Sequence, residues 1–578
     1  MFNRYFQDEI TNLRELGAAF SKAHPAVAPM LSDRSADPDV ERLLEGVAFL
    51  TALLREKLDD EFPELIHELV QLIWPHYLRP IPAASIVAFT PKPTLQQTMT
   101  IPAGVQVASV PVEGTACLFQ TCYPVTIDPL EIVEAAFEET AGKPPAISLT
   151  LALRNTTLEE WKPDFLRLYL SGESVPAPDV FLLLRQHLRE IAIRPLDGTG
   201  EAVLLDPDQL QPVGYDDDEC LLPYPGNSFP GYRILQEYFI LPEKYLFLDL
   251  KGWRHWHNRG AGNCFEIRFV LDSSPFVPAN IRKEDFVLGA TPVINIFPYD
   301  ADPIRLDHRQ TDYRVRPSGA NDAHFQVYAV DKVVGFAQGS ARETPYAPFE
   351  IFTPDPEANP VFHTRVKTSP VRSGFDMFLS VVYPPGAEPS VQVTLSIQLQ
   401  CTNGYLPEGI RVGDICIPTG STPEYVDFRN LRVPTSNILP PLGSNLLWRL
   451  LSHLSLNYTS LATAENMRAI LDLYNFEENR DRPVFLANQK RINGIQKVIT
   501  NPSNRLVTGS MMRGLELRVD VQQDHFSSVG DLYVFGSVLD FFLGSYASMN
   551  TYTRFSIKEL LKGETFQWPA RVGDRVLI

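Results

Sequence analysis

The chain has 578 residues with 51 basic and 70 acidic side chains, a formal net charge of −19. That balance disfavours nonspecific nucleic-acid binding and attraction to anionic membrane. Six cysteines in so long a chain do not make a disulfide scaffold, and 49 prolines spread from residue 25 to 569 predict many loops and edge strands.

The first predicted helix carries Phe2, Phe6, Ile10, Leu13, Leu16 and Phe20 at spacings of three and four, one apolar stripe on a 3.6-residue period. Pro25 and Pro29 end it. A second helix starts with Asp37 as N-cap and Pro38 at N1, and presents Val40, Leu43, Leu44, Val47, Leu50, Leu54 and Leu58. A third begins near Pro63 and runs to Trp74. Such stripes are completed either by their own small core or by another chain, and the pattern fits both.

After residue 85 the period changes from 3.6 to 2. Leu149, Leu151 and Leu153 alternate with Thr150 and Ala152, and Phe265, Ile267 and Phe269 with Glu266 and Arg268. The clearest strand is Val391 to Leu399, with Val391, Val393, Leu395, Ile397 and Leu399 on one face. Strands at this spacing, divided by Pro and Gly, predict antiparallel sandwiches or barrels. One helix, Asp179 to Ile193, interrupts them, with a strand possible at either end. Helix returns after Pro441 with Leu446, Leu447, Leu450, Leu451 and Leu454, and again behind Thr463 as cap, with Met467, Ile470, Leu471 and Tyr474 facing inward. A strand through Leu515 to Val521, a helix from Asp531 to Met549 and a strand from Tyr552 to Ile557 predict a small α+β domain.

The expected fold is therefore an α+β multidomain chain. A helical module spans residues 1–85, a β-rich domain with one helix 86–290, a second β-rich domain 291–440, and a helical pair with a small α+β domain 441–578. Neither a signal peptide nor a transmembrane run is expected, so the reading is cytoplasmic.

Catalytic motifs are missing: there is no Walker loop, GxGxxG, HExxH or GxSxG. His255 and His257, two apart on an expected strand, could share a metal, but no third ligand is evident and two tryptophans flank them. Asp300, Asp302, Asp307, His308 and Asp312 resemble a loose cation or acid–base site that lacks the glycine and terminal glutamate of a calcium loop. The expectation is no catalytic residue, no metal and no cofactor. A β-rich carbohydrate-active hydrolase and a cytoplasmic metal-binding protein stand as alternatives.

Ordered blocks along the chain then point to a family. YFQDEITNLRELGAAFSKAHP and DPDVERLLEGVAFLTALLREKLDDEFPEL run into LIWPHYLRPIP. SFPGYRILQEYFILPEKYLFLDL follows from Ser228, INIFPYDADPIRLDHRQTDYRV from Ile294 and FQVYAVDKVVG from Phe325. LPPLGSNLLWRLLSHLSLNY comes from Leu439, then MRGLELRVDV and VFGSVLDFFLGSYASMNTYTRF. Together they resemble TssF (VasA/ImpG), the baseplate wedge subunit family of bacterial type VI secretion systems. The resemblance implies a structural, non-enzymatic role. Two copies would share a wedge with one TssG-like protein, TssK-like trimers would attach to it, and TssE-like and VgrG-like proteins would form the nearby hub. Candidate interface residues are Phe2, Phe6, Ile10 and Leu13 on the first helix and Leu446, Leu450 and Leu454 after Pro441.

Overall fold

The computed structural model describes residues 2–23, 39, 42–53, 70 and 75–573, apart from 141, 173–175, 225–228, 273–275, 277–280, 308, 320, 322, 340–342, 350–359, 370–373, 384–391, 441, 443–462, 477–480, 508–509 and 550. The chain divides into two compact units, one of Met1–Leu78 with Pro441–Leu451 and one of Arg79–Pro440 with Ser452–Ile578. The divisions fall between Leu78 and Arg79, between Pro440 and Pro441, and between Leu451 and Ser452.

In the first unit, helix α1 spans Phe2–Ala23, and residues 42–53 are helical. The expected caps of the second helix, the third helix up to Trp74, and Leu446, Leu450 and Leu454 lie outside the described residues.

The second unit is β-rich. Its described strand pairs are antiparallel with two exceptions, Glu343–Pro348 on Val361–Thr368 and Ser510–Val521 on Thr551–Glu559. One six-stranded sheet joins distant segments in the order Ile415–Pro418, Gln106–Ser109, Leu118–Thr121, Ala290–Ile294, Ala84–Pro91 and Val426–Asn430. Its two edges are laced by a side chain: Asn430 Oδ1 accepts the Ile415 N–H at 2.9 Å, and Asn430 Nδ2 donates to Arg411 O at 2.9 Å. The sheet therefore closes toward a small barrel around Val87, Phe89, Val107, Phe119, Val293, Ile415 and Phe428.

The strand expected at 391–399 is Val393–Thr402, and Val393, Leu395, Ile397 and Leu399 are all buried. It anchors an eight-stranded sheet over a core that includes Phe297, Val333 and Leu379. The helix expected from Asp179 to Ile193 is shorter. Helix α2 covers Ala177–Gln186, and Leu188–Pro195 is a strand paired with Cys264–Leu271. Within Leu188–Pro195 the buried residues are Ile191 and Ile193, so period 2 overrides the helical tendency of the leading DVFLLLRQ.

Helix α3 (Pro230–Ile240) starts on Pro230. Helix α4 (Ala464–Leu473) has the expected cap: Thr463 Oγ1 accepts the Asn466 N–H, and Met467, Ile470, Leu471 and Tyr474 are buried. Helix α5 spans Arg482–Asn493 and helix α6 Val529–Gly544. Buried on nearly every side, α6 packs against α2, α3 and the strand Thr551–Glu559. It crosses over between the parallel strands Ser510–Val521 and Thr551–Glu559, as a strand–helix–strand unit requires. Close approach is enforced by Gly530, where an added Cβ would lie 2.2 Å from Pro178 O, and by Gly536, where it would meet Trp568 at 2.4 Å.

Candidate docking surfaces

On α1, Ile10 is buried, with Phe6 and Leu13 half-buried beside it in the same stripe. Two turns on, the stripe opens: Leu16 is 66% and Phe20 48% exposed. Phe2 starts the helix. Over 42–53 the buried line is Ala48 and Ala52, while Leu43, Val47, Leu50 and Leu53 are exposed. Four residues apart, Ala48 and Ala52 share one helix face, and their small side chains let that face approach its neighbours closely. Of the two ways to complete the stripe that the sequence leaves open, Leu43, Val47 and Leu50 are left uncovered within this chain. Contiguous apolar exposure of this kind marks an interaction surface.

The residues weighed for chemistry do not converge. Trp253–His255 is a turn of 3-10 helix rather than a strand, so the same-face argument for His255 and His257 fails. Both histidines are exposed, and His255 Nδ1 lies 3.1 Å from Gly252 O. Beneath them Trp253 and Trp256 are buried with Trp161 and Phe265 in one aromatic cluster. In the acidic stretch, Asp307 accepts the Arg309 N–H and the Tyr313 hydroxyl, which hold its carboxyl below the usual range, and Asp312 meets Lys367 at 3.3 Å. His308 lies outside the described residues. Among the described residues no three metal-capable side chains cluster. All six cysteines are free, and burial pushes the Cys117 thiol up to about 11.

The strongest electrostatic feature is internal. Arg233, Glu237 and Lys244 are essentially inaccessible to solvent. Glu237 Oε1 accepts the N–H groups of Leu221 and Leu222 at 2.7 and 3.1 Å, while Oε2 pairs with Lys244. Lys244 Nζ also donates to Gly214 O at 2.6 Å. Arg233 donates to Tyr215 O and Asp216 O at 3.0 and 3.2 Å and reaches Asp217. Burial pulls the Lys244 pKa down, and Glu237 opposes that pull. Three charges from one helix and its following turn thus satisfy the backbone of the acidic segment 214–222. Asp216, Asp217 and Asp218 themselves stay exposed, so the buried triad grips the backbone beneath a solvated acidic run. Sequence reasoning missed it, although Arg233 and Glu237 at i, i+4 inside an apolar run were a signal.

A cavity of about 270 Å³ opens where the barrel meets the strand Leu166–Leu170, lined mainly by Phe89, Ile127, Leu130, Phe165, Phe286 and Leu288. Gly289, at φ +64°, brings the backbone against Phe89 O, where a side chain would not fit. Charged side chains line it too: Asp128, Glu131, Arg167, Lys283 and Glu284.

Known proteins agree with this architecture from end to end. The family model "Type VI secretion system, TssF" matches residues 1–575. The type VI secretion system component TssF1 of Pseudomonas aeruginosa is 30% identical over 624 aligned positions, covering 99% of this chain and 98% of the relative. A chain of the TssK-TssF-TssG baseplate subcomplex, seen by cryo-electron microscopy, superposes with a TM-score of 0.77 at 29% identity, covering 92% of this chain and 98% of that one. A chain of the type VI secretion baseplate complex matches with a TM-score of 0.62 at 25% identity over the full length of both. A fold held together by buried charge and apolar stripes, with no converging catalytic side chains among the described residues, is what this match along the whole length explains: the chain belongs to the TssF family, structural baseplate subunits of the type VI secretion system.

Proposed function

We propose that the chain builds a baseplate wedge by docking its helical unit on a TssG-like partner, with TssK-like subunits attached to that complex and a second copy of itself in the same wedge. TssE-like and VgrG-like proteins form the hub it surrounds, where tube and sheath assembly begins. The open apolar stripes of the first unit carry this reading: Leu16, Phe20, Leu43, Val47 and Leu50 are exposed on helices whose inner faces are already packed. Phe2, Phe6, Ile10, Leu13, Leu446, Leu450 and Leu454 are the further residues we assign to partner contact, of which Ile10 is buried and Phe6 and Leu13 half-buried within this chain. The site of action is cytoplasmic; among the described residues no helix is long and apolar enough to cross a membrane.

Co-production with the TssG-like and TssK-like partners tests this. Leu43→Asp with Leu50→Asp removes two exposed side chains, so circular dichroism stays at the parent level. Burying two charges in a heteromeric interface abolishes co-purification. Full co-purification of the folded double variant refutes the assignment.

A further inference from the structure

The sheet that α6 covers on one side is open on the other. Strand Ile495–Val507 pairs with Ser510–Val521, which pairs with Thr551–Glu559. Side chains alternate between the two faces of a sheet. Val498, Leu517, Val519, Phe555 and Ile557 share one face and are all buried. The register puts the residues between them on the opposite face, where Lys497, Arg505 and Arg518 are exposed and Arg554 and Lys558 half-buried.

That open face is basic in an acidic chain. Its charged residues are Lys497, Arg505, Arg518, Arg554 and Lys558 against Glu516 and Asp520, five basic to two acidic and a balance of +3, while the whole chain stands at −19. Asp520 is already held by Arg518 at 3.1 Å, and Arg554 donates to Gln567 at 3.2 Å. Lys497, Arg505 and Lys558 form no ion pair among the described residues. The row from Lys497 to Arg505 runs about 26 Å at about 3.3 Å per residue, long enough to meet several carboxylates of one partner at once. A rigid sheet backed by a buried helix presents these cations in a fixed array, and such an array favours a partner of opposite charge.

A polyphosphate chain fits less well. Glu516 and Asp520 lie within the face and would oppose a continuous row of phosphates, and the net charge repels a polyanion. Among the described residues of the face the one aromatic ring, Tyr552, is buried, so no ring is offered for base stacking. A protein surface places its carboxylates singly and can meet Glu516 with a cation of its own.

We propose that this open face, centred on Lys497, Arg505 and Lys558, docks an acidic surface of a protein partner, a second contact separate from the helical unit. It rests on the reading that the chain works inside a heteromer, and its test has one arm that does not need that reading.

The first arm measures fluorescence anisotropy of a labelled polyglutamate peptide on the full-length chain. The variant Lys497→Gln, Arg505→Gln, Lys558→Gln removes three cations that hold no ion pair, so its circular dichroism matches the parent. Binding weakens roughly tenfold or more in the variant and falls with added salt. Unchanged affinity in the folded variant overturns the proposal. Duplex DNA bound more tightly than polyglutamate, and lost in the same variant, overturns it in favour of nucleic acid. The second arm treats the complex co-produced with TssG-like and TssK-like partners with a zero-length carbodiimide, which joins lysine amines to carboxylates in contact, and maps the products by mass spectrometry. Lys497 and Lys558 are joined to partner Asp or Glu more often than exposed Lys143 and Lys332 elsewhere on the chain. Equal frequencies at the four lysines overturn the docking. If no heteromer forms, the wedge reading fails, and the peptide arm alone decides whether the face takes acidic protein.

Discussion

Glu237 offers the sharpest test of the interior. Replacing it with Leu leaves Lys244 buried with only Gly214 O as partner, and orphans the Leu221 and Leu222 amides. Breaking a buried pair from one side costs about 3–5 kcal/mol, and each buried unpaired amide adds about 1–3 kcal/mol. A loss of about 5–11 kcal/mol follows, comparable to the whole stability of many domains. Lys244→Met is milder, about 3 kcal/mol, because Glu237 keeps both amide donors and Arg233 Nη1 at 3.6 Å. The double variant removes both charges of the Glu237–Lys244 pair and leaves the two orphaned amides, so it costs about 2–6 kcal/mol, less than Glu237→Leu alone. Denaturant unfolding gives the order, and hydrogen exchange at the Leu221 and Leu222 amides gives a local readout in a multidomain chain. Additive single costs, or a loss under about 2 kcal/mol for Glu237→Leu, would refute the view that the triad holds this segment.

Three further outcomes follow from the packing. Gly530→Ala drives a methyl into Pro178 O, 2.2 Å away, and should destabilise the α2–α6 contact by about 1–3 kcal/mol, read as lost protection of α6 amides. Thr463→Ala removes the cap of α4 and should cost about 1 kcal/mol in thermal unfolding. Burial pushes the Asp540 carboxyl up from 3.8 to about 6 against the pull of Arg571. Between those values the folded state binds more protons than the unfolded one, so this group's contribution to stability falls as pH rises. The stability of the parent relative to Asp540→Asn should therefore drop from pH 4 to pH 6, and a flat or rising difference refutes it.

Local pattern determined much by itself. The stripe of α4 and its Thr463 cap, the alternation in Val393–Thr402 and in Cys264–Leu271, and the crossover between Ser510–Val521 and Thr551–Glu559 depend on neighbours three, four or two residues away, and such spacing is written in the chain. The ordered blocks also carried the family and its lack of enzymatic chemistry. Tertiary structure decided what distance in sequence hides. Gln106, Ile294 and Asn430 sit in one sheet through pairings hundreds of residues apart, and no periodicity encodes which strands meet. Leu43, Val47 and Leu50 form as good a stripe as any core helix. Only the packing of Ala48 and Ala52 turns them outward, because periodicity names a face without saying what covers it. His255 and His257 lost their shared face once the backbone turned into 3-10 helix, and Arg233, Glu237 and Lys244 became a buried triad because burial of charge depends on partners that the fold alone assembles.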